Sequence, residues 1–149
     1  MNRIFYIICL LVLYASPVTA MPIQIEVHGL KVIKTKPNGA HWDTGFGAMI
    51  LPDLLVRIYQ NKKLLWSTAK ISNRYESARI FISPPLSLNE HKPLVVEVID
   101  KDLRADDLIE RFTFKLEHKI TAEPQKVQLS GKSVISCNVL IRSIKAPEP

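Results

Sequence analysis

The clearest indication of the fold is the segment Leu94-Val95-Val96-Glu97-Val98-Ile99-Asp100-Lys101-Asp102. Its first six residues are apolar and mostly β-branched, with a single glutamate, which is typical of a strand that packs on a core. Two aspartates, separated by one lysine, follow the strand directly. Carboxylates at a strand end lie in a loop at the rim of a sheet, where binding residues are concentrated. The stretch therefore predicts a core strand with a candidate site beside it.

Seven further segments have strand character, and several of them alternate apolar and polar residues. Such alternation places one face of a strand in a core and the other toward solvent. Together with the first stretch they make eight predicted strands, at residues 23–33, 54–59, 64–66, 78–82, 94–99, 111–116, 126–129 and 133–144. Only residues 103–110 leave room for a short helical turn. Many short strands joined by loops predict an all-β fold, an eight-stranded antiparallel β-sandwich.

Two groups of aspartates each lie next to a predicted strand. Asp43 and Asp53 precede the second strand. Four more follow the fifth strand within eight positions, namely Asp100, Asp102, Asp106 and Asp107. Aspartate is common in turns, so turn chemistry alone explains any one of these residues. Four carboxylates crowded into one loop repel each other unless a cation bridges them, and calcium, which takes about 6–8 oxygen ligands, is the natural candidate.

Both groups resemble the signatures of C2 domains, the calcium-dependent membrane-binding β-sandwiches. Residues 53–58, Asp53-Leu54-Leu55-Val56-Arg57-Ile58, resemble the Asp-Pro-Tyr-Val strand start of that family. Residues 96–109 resemble its second signature, an apolar strand, Asp-x-Asp and a further aspartate before two apolar residues. The likeness covers residues 23–116, with residues 127–144 as closing strands. It implies a C2-like sandwich of the permuted topology, in which the closing strand is at the carboxyl end.

The resemblance also implies a set of calcium ligands. Four aspartates match the calcium-bridging positions of the family, namely Asp53, Asp100, Asp102 and Asp107. Asp43 is the candidate for the remaining ligand in the first loop, and Asp106 competes with Asp107 for one position. Glu110 stands where the family usually has glycine, and Leu54 where it has proline. These departures bear on metal binding more than on the fold.

Apolar residues in the acidic loops raise the question of a membrane. The candidate contacts are Met49, Ile50, Leu51 and Leu103. Large apolar side chains at a loop tip need a reason, and insertion into anionic phospholipid is one. The alternative is that the first three fold back onto Trp42 or Phe46 and cap the core. Two functions thus stay open: a calcium-binding module that docks on anionic phospholipid or a protein partner, and a calcium-independent interaction or scaffold protein of the cell envelope or a secretion system.

The first twenty residues have the three-part pattern of a secretory signal. Arg3 supplies the positive charge, an apolar run extends from Ile4 to Ala15, and small residues lead to Ala20. The run is twelve residues long, whereas a membrane-spanning helix needs about 20. We therefore expect a signal peptide at 1–20, one secreted or periplasmic domain at 21–145, and a disordered tail at 146–149. Cleavage leaves Cys137 as the single cysteine, so no internal disulfide is expected.

Composition and motifs argue against catalysis and against nucleic acid as a partner. The net formal charge is +6, but the basic residues are dispersed, which favours anionic surfaces weakly and nucleic acid hardly at all. The four histidines are isolated from one another, without a zinc-binding pattern, and the sequence lacks a Gly-x-Ser-x-Gly elbow. Cys137 lies in an alternating strand and is expected in the core. We expect a monomeric protein that is not an enzyme.

Processing of the chain is directly testable. Cleavage after Ala20 yields a mature chain that begins at Met21 and, having lost Arg3 from a total of +6, carries a formal charge of +5. Intact-mass measurement of the exported protein should give the mass of residues 21–149, in a fraction soluble without detergent. A mass that retains residues 1–20, recovered with the membranes, would contradict the prediction.

Overall fold

Two antiparallel sheets pack against each other in the computed structural model of the chain, which describes residues 22–102 and 105–144. The predicted signal peptide, Leu103 and the predicted tail lie outside the described residues. The strands are β1 (Ile23–Val32), β2 (Leu54–Gln60), β3 (Lys63–Ser67), β4 (Glu76–Ser77), β5 (Phe81–Ile82), β6 (Leu94–Asp100), β7 (Asp107–Phe114), β8 (Gln125–Leu129) and β9 (Val134–Ser143). The predicted all-β antiparallel sandwich is confirmed.

The strand order joins the two ends of the chain. One sheet has the order β4-β1-β9-β8, with β5 also paired to β1, and the other has the order β3-β2-β6-β7. The last strand, β9, pairs along β1 from Ser143 opposite Ile23 to Val134 opposite Val32. The closing strand therefore comes from the carboxyl end, in agreement with the permuted topology.

Alternation along the strands builds the core between the sheets. Ile25 lies opposite Ile141 in the first sheet and Val56 opposite Val98 in the second, and all four side chains are buried. Burying an aliphatic side chain of this size stabilises a fold by about 1.5–3 kcal/mol. Cys137 lies in the same core, where burial raises the pKa of its thiol to about 12. It is a core residue, as predicted, and carries no thiolate at neutral pH.

The sheet edge beside β1 differs from the prediction of one strand at residues 78–82. β1 has a register irregularity at Gly29, whose φ of 61° suits glycine. Ser77 lies opposite Leu30 and Phe81 opposite Val27, so the three residues 78–80 span a gap that faces only two residues of β1. The edge is consequently divided into β4 and β5, and the described residues contain nine strands.

Of residues 103–110, which left room for a short helical turn, residues 107–110 form a strand instead. These residues begin β7, because Asp107 pairs with Asp100 and Leu108 with Ile99 of β6. In the part of the chain that the structure describes, the helical element is a 3-10 helix at Gly47–Ile50. No helix in these described ranges is long and apolar enough to cross a membrane.

Glu110, one of the two residues that depart from the C2 pattern, connects the β8–β9 turn to β7. Its Oε1 accepts the backbone N–H of Lys132 at 2.9 Å, and its Oε2 accepts those of Ser133 and Val134 at 2.9 and 2.8 Å. A Cβ on Gly131 would clash with Oε1 of Glu110, so this close approach requires glycine at residue 131. Burial opposes the charge of Glu110, but the three N–H donors outweigh burial and lower its pKa.

We predict that Glu110→Gln lowers the free energy of unfolding at pH 7 by about 1–3 kcal/mol, because three donors lose a charged acceptor. Since the pKa of Glu110 is lowered in the fold, its contribution is present above the ordinary value of 4.5 and disappears as the pH falls through the folded-state pKa. Urea unfolding at pH 7 and at pH 3 measures both effects. The exposed Glu117→Gln is the control, and equal stability of Glu110→Gln and wild type at pH 7 would refute the role.

Candidate metal centre

The pairing of β2 with β6 brings the two acidic loops together at one end of the sandwich. Leu54, the first residue of β2, lies opposite Asp100, the last residue of β6. Asp53 then donates its backbone N–H to Asp100 Oδ1 at 2.7 Å, and its carbonyl accepts the backbone N–H of Lys101 at 2.8 Å. These two hydrogen bonds extend the β-ladder into the loops and fix the Asp100 side chain.

Trp42 anchors the long first loop and so positions Asp43. The indole belongs to the hydrophobic core, and its Nε1 donates to the carbonyl of Ile33 at 3.0 Å. The next residue, Asp43, donates its backbone N–H to the carbonyl of Ile50 at 3.4 Å. The loop is thereby folded back on itself, and the Asp43 carboxylate is directed to the end of β6.

Three carboxylates meet at this point. Asp43, Asp100 and Asp102 each offer an oxygen that lies within 4.8 Å of the oxygens of the other two. Asp100 is fully buried, with 0% exposure. Its Oδ2 is the one buried side-chain oxygen or nitrogen without a hydrogen-bond partner among the described residues. A buried carboxylate oxygen that lacks a donor costs free energy unless another ligand satisfies it, and a cation does so best where neighbouring groups are also anionic.

The electrostatics of the three carboxylates reflect this crowding. Burial, the hydrogen bond with Asp102 and the charges of neighbouring aspartates raise the pKa of Asp43 to about 6. Burial also raises the pKa of Asp100, and the charges of Asp102 and Asp107 add to that effect against the hydrogen bond from Asp53. Without a bound cation, the negative charges at this site therefore oppose one another.

Two of the predicted ligands, Asp53 and Asp107, flank the three carboxylates and are paired with lysines. Lys70 Nζ lies 2.5 Å from Asp53 Oδ2, and Asp53 Oδ1 accepts the backbone N–H of Asn73 at 2.8 Å. On the other side, Lys36 Nζ lies 2.6 Å from Asp107 Oδ2. These residues line one open cleft together with Asp43, Asp102 and Trp42.

Asp106 is separated from this cleft. Its carboxylate lies 2.6 Å from Arg57 and 2.6 Å from Lys101, and these hydrogen bonds, that from Lys101 first, lower its pKa. Asp107 lines the cleft, whereas Asp106 does not. Of the two residues that competed for one ligand position, the geometry therefore favours Asp107 and gives Asp106 a structural contact with β2.

The first loop also presents apolar side chains to solvent. Phe46 is 92% exposed and Met49 is 60% exposed, whereas Ile50 and Leu51 are half-buried. Of the three proposed membrane contacts that the structure describes, Met49 is thus the exposed one, and Leu103 lies outside the described residues. The sequence predicts Phe46 only as a packing partner, although an aromatic residue between Gly45 and Gly47 is a recognisable signal of an exposed loop tip.

The donor chemistry of the cleft fits a hard divalent cation. Its potential ligands are carboxylate oxygens, which suit calcium, whereas zinc prefers nitrogen and sulfur. The Oδ2 of Asp100, which is buried and has no hydrogen-bond partner among the described residues, is a second, independent indication that this site suits a cation. Lys36 and Lys70 also line the cleft and were not among the predicted site residues. Each pairs with an aspartate outside its own local segment, 71 positions away for Lys36 and 17 for Lys70.

Several solved structures share this fold. A C2 domain, 18% identical, covers 82% of this chain and 99% of its own, with a TM-score of 0.50. The first of the C2 domains of plant extended synaptotagmin 1 is 10% identical and covers 85% of this chain and 98% of its own, with a TM-score of 0.57. Human GIVD cytosolic phospholipase A2, 11% identical with a TM-score of 0.54, matches 84% of this chain over 17% of its own length. No family model and no curated protein matches the chain. The chain has the C2 fold, as the resemblance in its sequence predicted.

Removing one carboxylate charge should relieve the electrostatic repulsion at this site. Asp100→Asn keeps an oxygen for the N–H of Asp53 and removes a buried negative charge, so it should raise the stability of the domain in EDTA by about 1–2 kcal/mol. Chemical unfolding in EDTA measures the change, and the exposed Glu123→Gln should leave stability within error of wild type. A loss of stability in Asp100→Asn would show that the carboxylate is structurally required.

Proposed function

We propose that this C2-fold domain is an exported module that binds calcium in the acidic cleft and thereby docks on anionic phospholipid. The single observation that carries the proposal is the Oδ2 of Asp100, which is buried beside two further carboxylates and has no partner among the described residues. The fold shared with other C2 structures supports the proposal at the level of architecture.

Asp43, Asp100 and Asp102 would hold the cation, since their oxygens converge. The backbone N–H of Asp53 fixes the Asp100 carboxylate. The side chains of Asp53 and Asp107 form the two flanks of the cleft. Calcium, when bound, supplies positive charge and open coordination positions that a phosphate oxygen can take. The role of the protein is to hold these carboxylates together in advance, so that the mutual repulsion disappears only on binding.

The loop tip would supply the apolar part of docking. Phe46 and Met49 are already exposed at the same loop that carries Asp43. Each such side chain gains about 1.5–3 kcal/mol when it leaves water. Nearby lysines would add about 1 kcal/mol each on an anionic surface. An empty cleft repels lipid phosphate, so the acidic charge would oppose this insertion until a cation is bound.

Export fits this use of calcium. The predicted signal peptide would place the domain outside the cytoplasm, where modules with a dissociation constant of about 10⁻⁴–10⁻³ M for calcium are saturated. The second candidate is a calcium-independent interaction module that binds a protein partner. The pairing of Asp53 and Asp107 with lysines favours it, because part of the acidic charge is already neutralised without a metal ion.

Vesicle co-sedimentation tests the proposal. The mature domain is mixed with vesicles of phosphatidylcholine containing one third phosphatidylserine, with calcium at millimolar concentration or with a chelator. We expect binding in calcium and little in chelator. Asp102→Asn should lose the calcium-dependent part, whereas the exposed Glu123→Gln should keep it.

The loop tip is tested with a matched pair of variants. Phe46→Asp should weaken calcium-dependent sedimentation by about tenfold or more, because the variant lacks the aromatic side chain that we expect to insert into the membrane. Ile80 is also exposed, at 58%, and Ile80→Asp should leave sedimentation unchanged. Equal binding in calcium and chelator would leave only attraction between a basic domain and lipid. Absence of binding under both conditions would favour the protein-binding alternative.

A further inference from the structure

We infer that Lys36 and Lys70 are built-in counterions that restrict the acidic cleft to a single divalent cation. This inference rests on the proposed function, because it concerns the same cleft. Its basis is that the five aspartates of the cleft fall into two groups, three without a lysine partner among the described residues and two with one. Asp43, Asp100 and Asp102 lie together without an ion pair to any described lysine or arginine, whereas the two flanking aspartates each have their own lysine.

Lys70 occupies the Asp53 side of the cleft. The two carboxylate oxygens of Asp53 are both engaged, one by Lys70 Nζ and the other by the backbone N–H of Asn73. The segment that supplies both donors is itself fixed, because Ile71 exchanges two backbone hydrogen bonds with Leu54, at 2.8 and 2.9 Å. A cation that took Asp53 as a full ligand would have to displace Lys70.

Lys36 occupies the Asp107 side and is held from two directions. Its ammonium group lies 2.6 Å from Asp107 Oδ2 and 5.6 Å from the centroid of the Trp42 ring. Its backbone N–H donates to the carbonyl of Ala40 at 2.8 Å, which fixes the turn that carries it. These contacts hold the ammonium group of Lys36 at the Asp107 edge of the cleft.

The charges of the cleft then favour one divalent ion over two. Lys101 also lines the cleft, but its charge is paired with Asp106 outside it. The remaining five carboxylates and the ammonium groups of Lys36 and Lys70 leave a formal charge of −3 at pH 7. One divalent cation brings this charge to −1. A second would bring it to +1 and would be repelled by the ammonium groups of Lys36 and Lys70. Each lysine therefore lowers the affinity for calcium, and the two together exclude a second ion.

Calorimetric titration of the mature domain with calcium tests this role. Wild type should bind one equivalent. Lys70→Met and Lys36→Met, which keep most of the side-chain volume, should each bind calcium about tenfold more tightly, the effect expected of a unit charge about 6 Å from a divalent ion in water-like surroundings. The double variant should take up a second equivalent. Lys70→Arg keeps the charge and should behave as wild type, as should Lys126→Met, a change at an exposed lysine of β8.

Each result has a definite meaning. Two equivalents in wild type, or unchanged affinity in both methionine variants, would overturn the inference while leaving the proposed calcium site intact. Absence of calcium binding by wild type and by all variants would overturn both. Melting of each variant in EDTA checks that it is folded, and Lys70→Met should melt below Lys126→Met at low salt, because Asp53 has then lost its counterion.

Discussion

The carboxylate of Asp100 is the group on which the rest of the site depends. One oxygen accepts the backbone N–H of Asp53 and so continues the ladder between β2 and β6, and the other is buried without a described partner. The fold thus uses one oxygen of the carboxylate for its own structure, and the other oxygen has no hydrogen-bond partner among the described residues. Because Asp43 and Asp102 lie beside it, a cation is the ligand that we propose for this oxygen.

The surrounding loops are arranged to keep this carboxylate in place. Trp42 fastens the first loop to the core, and Asp106 ties the loop after β6 to Arg57 of β2. Glu110 holds the β8–β9 turn against β7 through three hydrogen bonds. The cleft is therefore preorganised by contacts that do not themselves involve the proposed cation, while Phe46 remains free in solvent at the tip.

Much of the fold was predictable from sequence, because period-two alternation and β-branched runs report burial locally. The run at residues 94–99 lies within β6, and Asp43, Asp53, Asp100, Asp102 and Asp107 line or adjoin one cleft. The division of residues 78–82 depends on an irregularity in β1, which is distant in sequence. Likewise Lys36 meets Asp107 across 71 positions, and Glu110 meets Val134 across 24. Such pairings depend on the order of the strands in the sheets, which a local sequence pattern does not predict.

A crystal structure of the domain grown with calcium, with the ion located by its anomalous scattering, tests the role of Asp100 most directly. We expect one ion in the cleft, about 2.3–2.6 Å from Asp100 Oδ2, with Lys70 still paired to Asp53. Two ions in the cleft, or no ion within coordination distance of Asp100 Oδ2, would contradict this view of the site.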